Sequence, residues 1–407
     1  MKSTVITKCI SCCSNSVNLI LDFGQQPPSN RFFKEGESQS QSQSQPLALG
    51  QCTTCGLVQL INPMPKEMVR SHYSWLTYNE PEGHLEQMID DLMQMIGLDN
   101  RAHVVGLSYK DDTTLARFNH RGFTNTYRFD IEQDLGVVDP LAGLETIQCS
   151  ITHEWADAMV HRHGQVDLLI VRHLLEHAHS PRQFLESLAR LVKPGGFLMF
   201  EMPESKKFLV ACDYSFIWEE HIAYFTKETV RRFMQYANVD PWAVMEYEYP
   251  LEDSLVVVVR LVPPSKIAKK PAAAEIAIGS DYGKYFVGVR ESIHADLLRL
   301  KNEGKRVAVF GAGHLATKFL NLYELQELVY CVIDDNPHKL GLRMPGSGLK
   351  VRPSSVLIDE KIDICLLSLS PESEKKVIAA KQAYVNQGGQ FCSIFTLSPI
   401  AFQTVTI

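Results

Sequence analysis

Residues 166–202, VDLLIVRHLLEHAHSPRQFLESLARLVKPGGFLMFEM, contain the pattern that decides the fold. The mainly apolar run Val166–Arg172 predicts a buried strand, and Pro181–Val192 predicts a helix. The turn Lys193–Gly196 then leads into a second apolar strand at Phe197–Met202. Strands that alternate with helices in this way indicate a parallel α/β sheet.

The same alternation continues on both sides of this segment. We predict further strands at His103–Ser108, Tyr127–Asp130, Glu145–Cys149 and Leu255–Leu261, and further helices at Thr113–His120 and Glu154–His163. Apolar residues at helical spacing also predict helix within 66–98, although the polar and aromatic stretch Tyr73–His84 interrupts the pattern. That stretch fits a lid or pocket lining and an ordinary connection between helices equally well.

The composition indicates a globular protein, since 45% of its 407 residues are hydrophobic and 21% are charged. We expect about two to four domains in a chain of this length. The net charge of -7 argues against nucleic acid as a partner and favours metabolites. No apolar run reaches the ~18 residues of a membrane helix, and the first residues lack a signal peptide's apolar core. We therefore expect a cytoplasmic protein without a membrane partner, and ten dispersed cysteines suit that reducing compartment.

Two Cys-x-x-Cys pairs near the N-terminus predict a structural zinc site. Cys9 and Cys12 form the first pair, and Cys52 and Cys55 form the second. Four thiolates complete a tetrahedral zinc site without leaving an open position. The Ser-Gln repeats at 38–45 cannot form a packed core, so we predict a flexible loop between the two pairs.

The aromatic segment, residues 213–225, DYSFIWEEHIAYF, surrounds three ionisable groups with rings. Rings favour burial, whereas Glu219, Glu220 and His221 do not. One reading is a cleft wall in which a carboxylate holds His221 in one tautomer as a base. The alternative is an amphipathic helix start with its rings in the core and its glutamates in solvent. By the first reading, Glu219 adds a negative charge that raises the pKa of His221.

A second α/β unit follows the linker Pro263–Lys270 and a helix predicted at 282–302. The strand and turn Arg306–Ala316 deliver Gly311-Ala312-Gly313 to a helix N-terminus, an arrangement that can bind anions. Asp334 follows the next strand, where a dinucleotide-binding domain places its ribose acid. Because Ala316 replaces the third glycine, we expect no catalytic dinucleotide here.

Five segments carry a more specific signal: Gly24–Asn30, Cys52–Leu60, Leu174–His177, Trp218–Phe225 and Asp334–Gly346. Together they resemble one family, the bacterial nucleotide-sugar C-methyltransferases of deoxysugar biosynthesis. The resemblance implies an α/β fold with an N-terminal zinc-binding module, a central class I methyltransferase Rossmann-like domain and a second Rossmann-like domain at the C-terminus.

The domain boundaries that we predict follow this scheme. Residues 1–66 form the zinc-binding module with its Ser/Gln loop, and residues 67–262 form a helical lead-in and the methyltransferase-like domain. Residues 263–302 are a linker and helix, and residues 303–407 are the C-terminal Rossmann-like domain.

The resemblance also implies the chemistry, which is removal of a proton beside a 4-keto group and methylation of the resulting enolate. His221 stands at the family's catalytic base with Glu220 beside it, whereas Trp218 and Glu219 replace a tyrosine and a histidine. Tyr224 completes the expected catalytic set. The implied partner is a nucleotide-linked sugar, bound by a monomer or homodimer. The expected substrate-binding residues are Asn30, Tyr73, Tyr78 and Trp218.

By the same resemblance, the methyl donor is S-adenosylmethionine, bound over the carboxyl ends of the central strands. Its expected contacts are Gly106, Ser108, Asp111, Asp130, Arg172 and His173. The loop after the first central strand departs from the family: Gly106 replaces its acid, and Ser108 and Asp112 replace both glycines.

Two other functions are consistent with this altered loop. Without a methyl donor, the same base would reprotonate the enolate, which describes a nucleotide-keto-sugar epimerase or isomerase. A non-catalytic binding protein with a degenerate donor site is the other alternative, although an intact Glu220-His221 pair argues against it.

Overall fold

The computed structural model describes residues 8–37, 44–74, 80–266 and 268–402. The strands are β1 Val17–Gln26, β2 Gln45–Cys52, β3 Val58–Leu60, β4 Val104–Gly106, β5 Thr126–Arg128, β6 Val166–Arg172, β7 Val192–Glu204, β8 Ala223–Tyr224, β9 Asp240–Tyr247, β10 Asp253–Arg260, β11 Val307–Phe310, β12 Cys331–Ile333, β13 Val351–Arg352, β14 Ile364–Leu367 and β15 Gln390–Ser393. The helices are α1 Lys66–Val69, α2 Leu85–Ile96, α3 Asp112–His120, α4 Leu144–Ser150, α5 His153–His163, α6 Pro181–Leu191, α7 Lys206–Val210, α8 Lys227–Tyr236, α9 Ala273–Asn302, α10 His314–Leu322, α11 Val356–Asp359, α12 Pro371–Ala380 and α13 Gln382–Asn386.

The central sheet has the order β5-β4-β6-β7-β10-β9, and its first four strands are parallel. Strand β10 runs antiparallel to both of its neighbours, β7 and β9. The predicted strand at Val166–Arg172 is β6, whose middle residues are buried because helices cover both faces of the sheet. The chain leaves β4 toward β5 on one side and reaches β6 on the other, so the crevice for a ligand opens at the carboxyl ends of β4 and β6.

One of the secondary-structure predictions is wrong. Residues Glu145–Cys149, predicted as a strand, lie in helix α4, and burial of Leu144, Glu145, Ile147 and Gln148 shows a helical spacing. The helix predicted within 66–98 is present as α1 and α2, which lie on the two sides of the predicted interruption at Tyr73–His84.

The third sheet, β13-β12-β11-β14-β15, is entirely parallel and belongs to the C-terminal unit. The 30-residue helix α9 leads into it and begins nine residues before the predicted start, 282. Tyr282 and Phe286 of α9 pack against Tyr214 of the aromatic segment, with ring centroids 4.3 and 4.9 Å away. Phe23 of β1 also contacts Phe286, at 5.1 Å. One apolar core therefore joins the N-terminal sheet, the aromatic segment and the C-terminal unit.

The N-terminal sheet, β1-β2-β3-β8, takes its last strand from the aromatic segment. Val58 and Gln59 of β3 pair with Tyr224 and Ala223 of β8. In addition, the Leu60 N–H donates to the carbonyl of Ile222 at 2.9 Å. The residues that follow His221 are therefore part of the zinc-binding module's sheet.

The four predicted zinc ligands lie together beside this sheet. The sulfurs of Cys9 and Cys55 are 3.5 Å apart, those of Cys12 and Cys52 are 3.6 Å apart, and all four lie within 4.8 Å of one another. Gly56, with φ of +83°, reverses the chain between Cys55 and β3. Four clustered thiols match the ligand set of a closed zinc site.

Among the described helices, none has the length and apolar content needed to cross a membrane.

We expect Cys55→Ser to lose the zinc ion and to unfold the N-terminal sheet, because structural zinc contributes on the order of 10 kcal/mol to folding. Elemental analysis should give one zinc per wild-type chain and none in the variant, and the thermal transition should fall. Cys13→Ser is the matched control, since Cys13 is exposed and lies outside the cluster. Full zinc occupancy in Cys55→Ser would contradict the assignment.

Candidate functional site

A cleft of about 850 Å³ lies where the N-terminal module, the central sheet and the C-terminal unit meet. Asn30 and Tyr73 line it from the N-terminal side, and Glu372 lines it from the C-terminal unit. Lys110 and Arg172 reach it from the carboxyl edge of the central sheet. The aromatic segment contributes Trp218 and Glu220.

His221 packs against two rings that line this cleft, those of His177 and Trp218. Its ring centroid is 4.8 Å from that of His177, in a perpendicular arrangement, and 4.9 Å from that of Trp218. The N–H groups of Ile222 and Ala223 both donate to the carbonyl of Glu176, at 2.7 and 3.2 Å. These hydrogen bonds fix the loop after β6 against the aromatic segment and hold His177 beside His221.

The imidazole of His221 is neutral in this environment. Desolvation, together with the charges of His314, His173 and Lys110, lowers the pKa of His221 to about 3. The prediction that Glu219 raises this pKa is therefore wrong. The reason is geometric, because the Glu219 carboxylate is engaged elsewhere.

Glu219 forms a fully buried ion pair with Lys318 of helix α10, with Oε2 and Nζ 2.6 Å apart. Its carboxylate also accepts hydrogen bonds from the backbone N–H and, at 3.2 Å, the hydroxyl of Ser29. One carboxylate thus connects the aromatic segment, the N-terminal module and the C-terminal unit. Next to this pair, His314 stacks on Trp218 with centroids 4.4 Å apart.

Glu220 lines the cleft in surroundings that favour its protonated form. Desolvation and the nearby charges of Glu145 and Glu219 raise the pKa of Glu220 well above its ordinary value. Desolvation also raises the pKa of Glu145, which lines the same cleft from α4. Sequence reasoning missed Glu145, because a strand at this position gave no reason to place it in the cleft.

Tyr224 was predicted to be catalytic, but its hydroxyl forms hydrogen bonds to the backbone of the aromatic segment. The hydroxyl accepts a hydrogen bond from the Trp218 N–H at 3.0 Å and donates one to the Trp218 carbonyl at 3.1 Å. Tyr224 is buried, and its ring centroid is 6.5 Å from that of His221. Its evident effect is to close the turn that contains Glu219 and Glu220.

At the sheet edge, the side chain of Asp111 turns back under its own loop. Its carboxylate accepts the N–H groups of Leu107 and Ser108, both at 2.8 Å, and that of Arg172 at 3.0 Å. Desolvation raises the pKa of Asp111 to about 7. A Cβ atom at Gly106 would lie 2.7 Å from that of Asp111, so the altered residue at 106 makes room for this carboxylate.

Gly106, Ser108 and Asp111 are consequently buried beneath the loop rather than displayed in the cleft. The carboxylate of Asp130 accepts N–H groups of the following turn, from Glu132 and Gln133. In the described part of the chain, Asp130 is also outside the cleft lining. Of the six residues predicted to contact the donor, Arg172 is the one that lines the cleft.

Arg172 has the partners expected of a buried cation. Its Nε donates to Glu201 at 2.5 Å, and its Nη1 donates to the Lys110 carbonyl at 2.6 Å. His173, in a left-handed backbone conformation with φ of +53°, is buried behind it. Desolvation opposes ionisation of His173, but Glu80 and Glu201, with Glu176, raise its pKa to about 10.

The expected substrate-binding residues are placed as follows. The Asn30 amide donates to the Val69 carbonyl at 2.6 Å, and the Tyr73 hydroxyl donates to the Phe32 carbonyl at 2.9 Å. Both residues line the cleft, as does Trp218. Tyr78 lies outside the described residues.

The glycine turn of the C-terminal unit makes contacts of its own. The Ala312 N–H donates to Asp334 at 2.9 Å, and Lys339 pairs with the same carboxylate at 2.8 Å. Helix α10, which begins at His314, is docked on the aromatic segment through the Trp218 and Glu219 contacts.

Comparison with known proteins places these features in a methyltransferase context. Residues 9–69 match a family model for a zinc binding domain, residues 81–244 match one for a methyltransferase domain, and residues 269–395 match one for a C-methyltransferase C-terminal domain. The C-methyltransferase NovU of Streptomyces niveus is 22% identical over 403 residues, covering 95% of this chain and 94% of that protein.

Solved structures resemble less of the chain. The 1,6-didemethyltoxoflavin-N1-methyltransferase of Burkholderia thailandensis is 15% identical with a TM-score of 0.31, covering 44% of this chain and 79% of its own. A SAM-dependent methyltransferase from Aquifex aeolicus is also 15% identical, with a TM-score of 0.28 and coverage of 44% and 93%.

S-adenosylmethionine is the cofactor of this domain class, and the charges in the cleft are compatible with it. Its methionine end carries both an ammonium and a carboxylate. The sheet edge offers the cations Lys110 and Arg172 and the carboxylates Glu80 and Glu82, all in the cleft lining. Lys110 pairs with Glu80 at 3.6 Å and Arg172 with Glu82 at 3.3 Å, so this edge of the cleft carries both signs of charge.

We expect the buried pair to be strongly coupled. Lys318→Met or Glu219→Gln alone leaves a buried charge uncompensated, which costs about 3–5 kcal/mol of unfolding free energy, whereas the double variant should recover most of it. Denaturant unfolding measures these values. The control is Glu303→Gln in the exposed Arg299–Glu303 pair, where the loss should stay below ~0.5 kcal/mol. Strictly additive losses at 219 and 318 would contradict the coupling.

We expect Lys110→Met to weaken S-adenosylmethionine binding about tenfold, because it removes one charge-assisted contact from the sheet edge. Isothermal titration calorimetry with wild-type protein and variant measures the change. Lys193→Met serves as the control, since Lys193 pairs with Asp167 at the opposite end of β6. Equal affinities of wild type and Lys110→Met would show that the donor does not reach Lys110.

Proposed function

We propose that this methyltransferase transfers a methyl group from S-adenosylmethionine to a carbon of a nucleotide-linked 4-keto-deoxysugar. The matches to the three family models support the proposal. The observation that carries the proposal is the position of His221, whose ring contacts those of His177 and Trp218 in the lining of the cleft, next to the lining residue Glu220. The overall likeness to NovU over almost the full length of both chains supports it.

His221 acts on the carbon beside the ketone. Its neutral imidazole accepts the proton from that carbon, and the electron pair of the broken C–H bond moves onto the ketone oxygen as an enolate. Packing between His177 and Trp218 holds the ring in place while this happens. When bound, S-adenosylmethionine supplies the electrophilic methyl group that the enolate carbon attacks.

Glu220 stabilises the developing oxygen charge. A carboxylic acid that remains protonated in a buried site can donate a hydrogen bond to an oxyanion. Glu220 lines the cleft one residue before His221, and burial raises the pKa of its carboxyl group, which favours the protonated form. The proposed acid, Glu220, and the proposed base, His221, are thus consecutive residues of the same turn.

The N-terminal module binds the nucleotide end of the substrate. Asn30, Ser71, Tyr73 and Ser74 give this side of the cleft a polar lining. The Asn30 amide oxygen has no hydrogen-bond partner among the described residues, so it can accept one from a sugar hydroxyl or a base. Trp218, stacked on His314, shields the reacting carbon from water on the other side.

We expect His221→Ala to abolish exchange of the proton beside the ketone with solvent deuterium, lowering its rate by at least about 100-fold. The substrate is a nucleotide-linked 4-keto-deoxysugar, and mass spectrometry follows the exchange. His161→Ala is the control, because His161 is exposed on α5. If His221→Ala still binds the substrate as tightly as wild type, the variant is folded, and the lost exchange is due to the missing imidazole.

Exchange is measured with and without S-adenosylmethionine. A wild-type protein that binds the keto-sugar nucleotide but exchanges it no faster than His221→Ala would refute the assignment of the base. Rapid exchange with no methylated product in the presence of the donor would identify an isomerase instead.

A further inference from the structure

Glu176, His177 and His221 form a compact group of side chains, the Glu-His-His cluster. A carboxylate oxygen of Glu176 and one imidazole nitrogen from each histidine all lie within 4.8 Å of one another. Glu176 and His177 are adjacent on the loop after β6, and His221 comes from the aromatic segment. The hydrogen bonds from Ile222 and Ala223 to the Glu176 carbonyl hold these two pieces of chain in register.

Three polar atoms of this cluster, two on Glu176 and one on His177, are buried without a hydrogen-bond partner among the described residues, and His221 is half-buried. Glu176 is 2% exposed and His177 is 3% exposed. Neither carboxylate oxygen of Glu176, nor Nδ1 of His177, has a hydrogen-bond partner within the described ranges of the chain. The closest cationic contact of Glu176 is Nδ1 of His173, at 3.5 Å. A buried carboxylate that accepts no hydrogen bond is costly, and a bound cation is one way to offset that cost.

The ligand types select the class of cation. Two imidazoles and one carboxylate suit zinc and neighbouring transition metals, whereas magnesium and calcium prefer oxygen ligands throughout. Ligands about 2.0–2.2 Å from a tetrahedral ion lie roughly 3.3–3.6 Å apart. Rotation of the three side chains closes the remaining gap, because the backbone already brings them together.

We propose that the Glu-His-His cluster binds a divalent transition-metal ion of the zinc class, separate from the ion at the four cysteines. His177 lines the cleft, so an ion held here has a route of entry from it. Three protein ligands and one open position distinguish this site from the closed site at the cysteines.

Binding of such an ion regulates the enzyme. In the proposed function His221 is the base, and a nitrogen that coordinates a metal cannot accept a proton from the substrate. The ion therefore inhibits, and this part of the inference rests on the proposed function. The binding site itself does not depend on it, since three ligands can be tested without substrate.

The test begins with purified protein that retains one zinc per chain at the four cysteines. Equilibrium dialysis against increasing zinc should load a second ion per chain. Glu176→Gln and His177→Asn should each weaken this second ion at least about tenfold and leave the first ion in place. His179→Asn, a change in the same loop but outside the cluster, should bind both ions as wild type does.

Retention of the first zinc and a wild-type circular dichroism spectrum show that a variant has folded, and the two variants provide independent readings. Absence of a second ion in wild type at millimolar zinc would overturn the site. So would a second ion that binds equally tightly to wild type, Glu176→Gln and His177→Asn.

Inhibition is read from the deuterium exchange of the keto-sugar. Exchange should stop over the zinc concentrations that load the second ion, and EDTA at a level that spares the first ion should restore it. Exchange that continues with the second ion bound, or that requires this ion, would overturn the inhibitory role. A wild-type protein that binds the second ion but never exchanges the sugar would refute the proposed function and leave the metal site standing.

Discussion

The fully buried ion pair between Glu219 and Lys318 is the constraint on which the functional site depends. Two charges removed from water must remain paired, because separating them would leave each one unsolvated. The same carboxylate binds Ser29, so the pair joins the N-terminal module, the aromatic segment and helix α10 at one point. Any arrangement that keeps this pair intact also keeps His221, two residues away, at the junction.

The rest of the aromatic segment is fixed from both ends. Upstream, Tyr214 packs into the core formed with Tyr282 of α9. Downstream, Ala223 and Tyr224 pair with β3 of the zinc-binding module. Such rigid placement suits the base that we propose, since errors of about an ångström are costly in catalysis. Contacts from the N-terminal module, the central sheet and the C-terminal unit therefore hold the turn that contains Glu220 and His221 in one position.

Local patterns explain which parts of this arrangement the sequence predicts. Paired Cys-x-x-Cys motifs define four zinc ligands, and an apolar run between turns defines β6, because both depend on neighbouring residues. The partner of Glu219 could not be predicted, since Lys318 lies almost 100 residues later and nothing local marks it. The strand predicted at Glu145–Cys149 was wrong for another reason. A short stretch of this kind fits helix and strand alike, and tertiary packing decides in favour of the helix.

The loop after β4, where we predicted donor contacts, shows how one departure from the expected sequence is compensated by another. Asp111 satisfies the loop's N–H groups, and Gly106 leaves room for it. Likewise, Glu219 and Trp218 replace two expected residues and meet Lys318 and His314 of the C-terminal unit. Sequence alone shows the replacements, whereas only the structure shows their new partners.

Transfer of a carbon-13 methyl group from labelled S-adenosylmethionine tests the central claim most directly. The protein, with zinc at its four cysteines, is incubated with the labelled donor and a nucleotide-linked 4-keto-deoxysugar, and the product is analysed by carbon-13 NMR. A labelled methyl group coupled to the ring carbon beside the ketone is the predicted result. A labelled methyl group on oxygen, or an unlabelled sugar after complete loading with donor, would contradict it.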